Sequence, residues 1–162
     1  MRDKKVMYLV QAAAIAAIYV VLVELFNYWS FGPIQFRIAE ALTILPFFTP
    51  AAIPGLFVGC ILANILGGAI PADIICGSLA TLVAAYCSFK LRKNKYLVPV
   101  PPVIANMLVV PFVLKYGYGT EQAIPYMVAT VGIGELIVCG IIGMILLTAL
   151  NQYKNVLFKN EY

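Results

Sequence analysis

The sequence predicts an all-α integral membrane protein of six transmembrane helices, with both termini in the cytoplasm. Two observations carry that expectation. The first is composition: of 162 residues, 63% are hydrophobic and 11% charged, with a mean hydropathy of +0.95. Soluble domains are about 45–50% apolar and about 25% charged. The second is where the charges sit. Nine of the eleven Lys and Arg residues fall at three places: Arg2, Lys4 and Lys5; Lys90, Arg92, Lys93 and Lys95; Lys154 and Lys159. Five of the seven acids, Glu24, Glu40, Asp73, Glu121 and Glu135, avoid those places. Short basic segments of membrane proteins stay cytoplasmic, so the net charge of +4 reports orientation rather than nucleic-acid binding.

The first apolar run covers about residues 6–26, long enough for a hydrocarbon core of about 30 Å, and so reads as a membrane helix rather than a cleaved leader. Residues 27–35, with Gly32 and Pro33, read as a loop on the opposite face. A second apolar segment, 37–48, is short for a span; Pro46, Pro50 and Pro54 interrupt the chain after it, and a third helix follows over 51–66. Gly67, Gly68 and Pro71 form a turn, the fourth span covers 72–89, and it ends in the basic segment KLRKNK. Pro99, Pro101 and Pro102 open the fifth span, which reaches about residue 114; an outer loop carries Gly117 and Gly119, and the sixth span covers 124–150. The loops after spans one, three and five are nearly free of Lys and Arg, with Arg37 and Lys115 as the exceptions, so the parity agrees with cytoplasmic termini. No internal repeat is visible, and one helical domain over 1–162 is expected.

Several function classes are disfavoured. The chain has no histidine, which removes Ser-His and Cys-His catalysis and most zinc sites. There is no G-x-x-x-x-G-K-[ST] loop for ATP. Cys60, Cys76, Cys87 and Cys139 are dispersed in apolar runs and read as small buried hydrophobes. Neither an enzyme nor a cofactor or metal site is expected.

The polar residues within the apolar segments are the candidates for function. Arg37 and Glu40 start span two, Asn64 lies near the outer end of span three, Asp73 starts span four, Asn106 is midway along span five and Glu135 is deep in span six. Ionisable residues inside a membrane are costly and mark sites by default. Each also has a structural reading: Arg37 and Glu40 can pair on one helix face, the asparagines can join helices, and Asp73 can cap its helix. Glu135 is the hardest to dismiss, because it is deep and follows Gly132 and Gly134. Tyr28, Trp29, Phe31 and Phe36 crowd the first outer loop, and Tyr116, Tyr118 and Tyr126 the last, either as an interfacial belt or as a lid that stacks on a flat ring. In the first span, Ala12/Ala16 and Ala13/Ala17 place small residues four apart, which suits either internal packing or docking of a separate helix. Gly140-x-x-Gly143 is a weaker pattern of the same kind.

Residues 31–86, with the runs FRIAEAL and LANILGG…DI..GSLATL, resemble the queuosine-precursor transporter family, substrate-binding S-components of energy-coupling-factor transporters. The first-span alanine pairs match the A-x-x-x-A contact motif of S-components. The resemblance implies a multi-pass protein of a bacterial cell membrane that captures a 7-deazaguanine base outside the cell. It implies partners too: a membrane coupling protein and two cytoplasmic ATPases, on separate chains.

The residues suit such a base. Its two N–H donors on the Watson–Crick edge match one carboxylate, from Glu40, Asp73 or Glu135. Its ring oxygen matches a donor from Asn64, Asn106 or Arg37, and its flat face an aromatic such as Trp29 or Tyr28. A 7-aminomethyl substituent is cationic, and a second carboxylate favours it over a 7-cyano group. The alternative reading is a self-sufficient proton-coupled carrier for a small heterocycle or vitamin, with Glu135 as the relay.

Overall fold

The computed structural model describes residues 2–26, 37–154 and 158. Tyr28 and Trp29 lie outside the described residues, as do Asn27, Phe31, Phe36 and Lys159. Among the described residues every regular element is helical. In order these are α1 (Arg2–Leu25), a 3-10 helix (Ile38–Phe47), α2 (Ala52–Leu66), α3 (Pro71–Lys90), α4 (Val100–Phe112) and a last helix, α5 (Ile124–Gln152). A π-helical turn, Val113–Gly117, prolongs α4, and a second π segment, Leu136–Ile142, lies inside α5.

Four stretches are long and apolar enough to cross a membrane: Lys4–Leu25, Pro71–Lys90, Lys95–Gly117 and Ile124–Gln152. Ile38–Phe47 and Ala52–Leu66 are shorter apolar helices packed among them. The outward faces are apolar, with Leu9, Val10 and Ile18 on α1, Ile75, Leu79 and Val83 on α3, and Ile133 and Ile145 on α5 exposed. An apolar surface this continuous suits lipid, not water. The protein is a multi-pass all-α membrane protein.

The short second segment has a physical resolution. As a 3-10 helix it rises about 2.0 Å per residue, so ten residues reach about 20 Å where an α-helix would reach about 15 Å. It runs antiparallel to α1: Glu40 meets Tyr19 at one end, and at the other the Thr49 hydroxyl donates to Gln11 at 3.0 Å. Thr49 then accepts the Ala51 N–H at 3.2 Å, which starts α2 after the Pro46 and Pro50 interruptions. Gly68 supplies the positive φ of +72° in the turn to α3, and Pro71, which has no N–H to satisfy, opens that helix.

α1 and α2 cross closely because both present small residues four apart. Ala12 and Ala16 are buried, and they face Gly55 and Gly59: a Cβ added at Gly55 would lie 2.7 Å from the Ala12 carbonyl oxygen. Ala12 and Ala16 are therefore occupied by packing inside the chain, while Ala13 and Ala17 face outward. The buried stripe continues down α1 through Tyr19 to Val23, and these meet Ile44, Phe48, Leu56 and Leu147 in the main apolar core. Phe158 stacks on Phe48 with ring centroids 5.0 Å apart. Gly143 packs against Ile44, whereas nothing lies near Gly140.

Candidate functional site

Five of the six helical segments send charged or amide side chains to one interior region. Arg37 and Glu40 enter from the start of the 3-10 helix, Asn64 from the end of α2, Asp73 from the first turn of α3, Asn106 from α4 and Glu135 from α5. Local structure favours the acidic positions. Glu40 and Asp73 each occupy the first turn of a helix, where the N-terminal N–H groups favour an anion. Glu135 lies about 16 Å along α5 at about 1.5 Å per residue and directly precedes the π segment, a distortion frequent at functional sites.

These six side chains are buried: exposure is 7% for Arg37, 1% for Glu40, 0% for Asn64, 5% for Asp73, 6% for Asn106 and 5% for Glu135. Arg37 donates from Nη2 to Asn64 Oδ1 at 2.6 Å. Asn64 Nδ2 in turn donates to Cys60 Sγ at 3.6 Å, as does the Thr81 hydroxyl at the same distance. Asn106 Nδ2 donates to Glu135 Oε1 at 2.8 Å, and the Cys139 thiol donates to Glu135 Oε2 at 3.1 Å. Cys139 also bridges to the Glu40 backbone carbonyl at 3.4 Å, tying α5 to the 3-10 helix. The pairing of Arg37 with Glu40 that their spacing allowed gives way to other partners, because Glu40 Oε1 accepts from the Tyr19 hydroxyl at 2.6 Å.

The Asp73 end of the cluster is covered by the loop that follows α4. The Tyr118 hydroxyl donates to Asp73 Oδ2 at 3.0 Å and accepts the Ile70 N–H at 3.4 Å. Burial, and then the Asp73 carboxylate beside it, push the Tyr118 phenol above its ordinary value. Lys115 holds the loop with bonds to the Glu121 and Gln122 carbonyls, each at 3.4 Å. Glu24 and Glu121 are exposed and outside this network.

Two buried oxygens of the region have no hydrogen-bond partner, Glu40 Oε2 and Ser78 Oγ. A buried carboxylate oxygen left unpaired costs about 1.5–3 kcal/mol relative to one that is hydrogen-bonded. Such an oxygen inside a polar cluster is suited to receive a donor from a ligand. Among the described residues no three acids or thiols converge as ligands for a metal ion.

Sequence reasoning missed Tyr19, Cys60, Thr81 and Cys139 as members of the network. Tyr19 had a signal: it falls on the same face of α1 as Ala12 and Ala16, and a buried tyrosine hydroxyl needs a partner. The cysteines had none, since a thiol in an apolar run looks the same whether it packs or donates. Cys76 departs from the expectation of burial, because it sits on the exposed face of α3.

A family model described as the QueT transporter matches residues 9–152. The chain belongs to the QueT transporter family. Over 85 residues it is 38% identical to the queuosine precursor transporter QueT of Lactococcus lactis subsp. cremoris (strain MG1363), an alignment covering 51% of this chain and 50% of that protein. The chain thus spans about half the length of the curated relative in that match. No solved structure matches it. The matched residues 9–152 contain every member of the polar cluster.

Proposed function

We propose that this protein is the substrate-capturing membrane subunit of an importer for queuosine precursors, taking up a 7-deazaguanine-type base from outside the cell. The observation that carries this reading is the buried cluster of Glu40, Asp73, Glu135, Arg37, Asn64 and Asn106 in a member of a transporter family. The substrate class is that in the name of the Lactococcus lactis relative. The chemistry suits it. One carboxylate accepts the paired N–H donors of a guanine-like edge, and an amide or guanidinium donates to the ring oxygen. The flat face needs an aromatic partner, for which the sequence offers Trp29 or Tyr28.

In this reading residues 90–95 and both termini are cytoplasmic, and the base enters from the side closed by Tyr118. Energy comes from separate chains, a membrane coupling protein and two cytoplasmic ATPases, with Ala13 and Ala17 as the contact face. Their outward position, beside an Ala12/Ala16 pair already used against α2, supports that assignment.

A thermal-shift panel of the purified protein with deazaguanines, guanine and common vitamins tests the substrate class. A specific ligand at 100 times its Kd stabilises the fold by about 2.7 kcal/mol, and stabilisation only by an unrelated vitamin would overturn the class. Uptake by vesicles that hold the protein alone, driven by a proton gradient, would replace the coupled importer with a self-sufficient carrier.

A further inference from the structure

We propose that the groove between α4 and α5, beside the basic loop, binds an anionic phospholipid. Its headgroup meets Lys95 and the neighbouring cations, and one acyl chain lies along Gly140. The proposal is independent of what the polar cluster holds.

The groove encloses about 320 Å³, and its lining includes Tyr96, Val100, Ile104, Leu136, Gly140 and Met144. Leu136, Gly140 and Met144 follow one another at four-residue steps along α5, a strip about 12 Å long at about 1.5 Å per residue. The strip is open at its centre, because a Cβ added at Gly140 would meet nothing within 4 Å. Exposed Ile104 and Leu136 form its walls. This shape does not suit a second helix. Close helix docking uses small residues four apart, and the residues four from Gly140 are Leu136 and Met144. Gly143, the other glycine of that pattern, packs inward against Ile44. A single flexible hydrocarbon chain needs no such stripe and fits the strip.

Charge complementarity decides which lipid. Residues 90–99 carry Lys90, Arg92, Lys93 and Lys95 and no acid. All four cations are exposed. The loop is fixed in place: the Ser88 hydroxyl donates to the Val98 carbonyl at 2.7 Å, and Asn94 Oδ1 accepts the Tyr96 N–H at 3.1 Å. Lys95 Nζ lies 5.0 Å from the centre of the Tyr96 ring, and that ring lines the groove. A cation therefore stands at the mouth of an apolar channel, the arrangement that a lipid phosphate with its chain requires. In the topology proposed above this mouth opens on the cytoplasmic leaflet, which carries the anionic lipids, and basic pockets between helices on that side take their headgroups.

The test is native mass spectrometry of the full chain in detergent, titrated with phosphatidylglycerol or with phosphatidylcholine of the same acyl chains. Phosphatidylglycerol should bind at least about fivefold more tightly, the effect of one cation near an anionic headgroup. Lys95→Gln should remove about fivefold of its affinity and leave phosphatidylcholine unchanged. Lys5→Gln, which removes the same charge from α1, should change neither. Gly140→Leu, which fills the strip, should weaken phosphatidylglycerol at least as much as Lys95→Gln. Equal affinity for the two lipids overturns the proposal. An equal loss in Lys5→Gln and Lys95→Gln also overturns it, since the attraction then belongs to the whole basic face. Displacement of the lipid by glycerol phosphate alone would remove the role of the acyl chain and overturn the groove. Should Gly140→Leu not fold, phosphatidylglycerol with a diazirine in its acyl chain decides on the unaltered protein. Crosslinks should fall within 96–104 and 136–144, and crosslinks confined to other segments, or to a second copy of the chain, refute the site.

Discussion

Gly59→Ala links the packing of the bundle to the chemistry of its interior. The new Cβ would lie 2.9 Å from Tyr19 Cβ and 3.1 Å from both Ala16 Cα and the Ala16 carbonyl oxygen. Ordinary contact begins near 3.4 Å, so α1 must move away by about 0.5 Å, and the atoms in the way are backbone and a Cβ rather than a flexible tip. Overpacking of this kind costs about 1–3 kcal/mol, or roughly 2–12 °C in Tm for a chain of this length. The displacement also pulls the Tyr19 hydroxyl from Glu40 Oε1, now 2.6 Å away. Ligand affinity should therefore fall together with stability. Gly140→Ala is the control, since nothing lies within 4 Å of its added Cβ and alanine favours helix. Differential scanning fluorimetry and calorimetric titration on the two variants decide the matter. If Gly59→Ala melts and binds like Gly140→Ala, the α1–α2 contact does not position Tyr19 and the argument fails.

Further outcomes follow from the same geometry. Ala13→Leu with Ala17→Leu should abolish uptake in cells that hold the full transporter while the purified variant still binds substrate. Ala12→Leu with Ala16→Leu should instead lower folded yield, because those side chains meet Gly55 and Gly59; the reverse pattern would place the docking face elsewhere. A cysteine at Lys93 should resist an impermeant maleimide added to intact cells, and labelling from outside would invert the topology. The Tyr118 phenol is raised, so its bond to Asp73 is complete below the ordinary tyrosine value of about 10 and is lost as pH rises through the higher folded value. Ultraviolet titrations of the wild type and of Tyr118→Phe should differ by one late-ionising tyrosine; no difference between them would contradict the latch.

The helical frame was legible because a membrane chain writes it in hydropathy and charge. The expected spans 72–89 and 51–66 differ from α3 (Pro71–Lys90) and α2 (Ala52–Leu66) by a residue at most. The polar residues were legible too, since Glu40, Asp73 and Glu135 stand out against apolar neighbours and all three are buried together. What was hidden depends on geometry that one-dimensional patterns do not carry. The 3-10 form of Ile38–Phe47 is not written in its hydropathy, and the π segment after Glu135 changes helical phase without changing composition. Which alanine pair packs inward is decided by Gly55 and Gly59 on another helix, more than forty residues away in the chain. Cys139 joins the network through the Glu40 carbonyl, a backbone group that no side-chain pattern announces.

The central claim is that the buried acids hold the substrate, and the most direct measurement is the affinity of the purified chain for a 7-deazaguanine after Glu40→Ala, Asp73→Ala and Glu135→Ala. Each removes a carboxylate that is at most 5% exposed. Loss of a buried charged hydrogen-bond partner costs about 1.5–3 kcal/mol, or roughly ten- to hundredfold in Kd. The account predicts a loss of that size in folded protein for each variant that contacts the base, with stability monitored in parallel. Unchanged affinity in all three, with the protein folded, would contradict it and move the site away from this cluster.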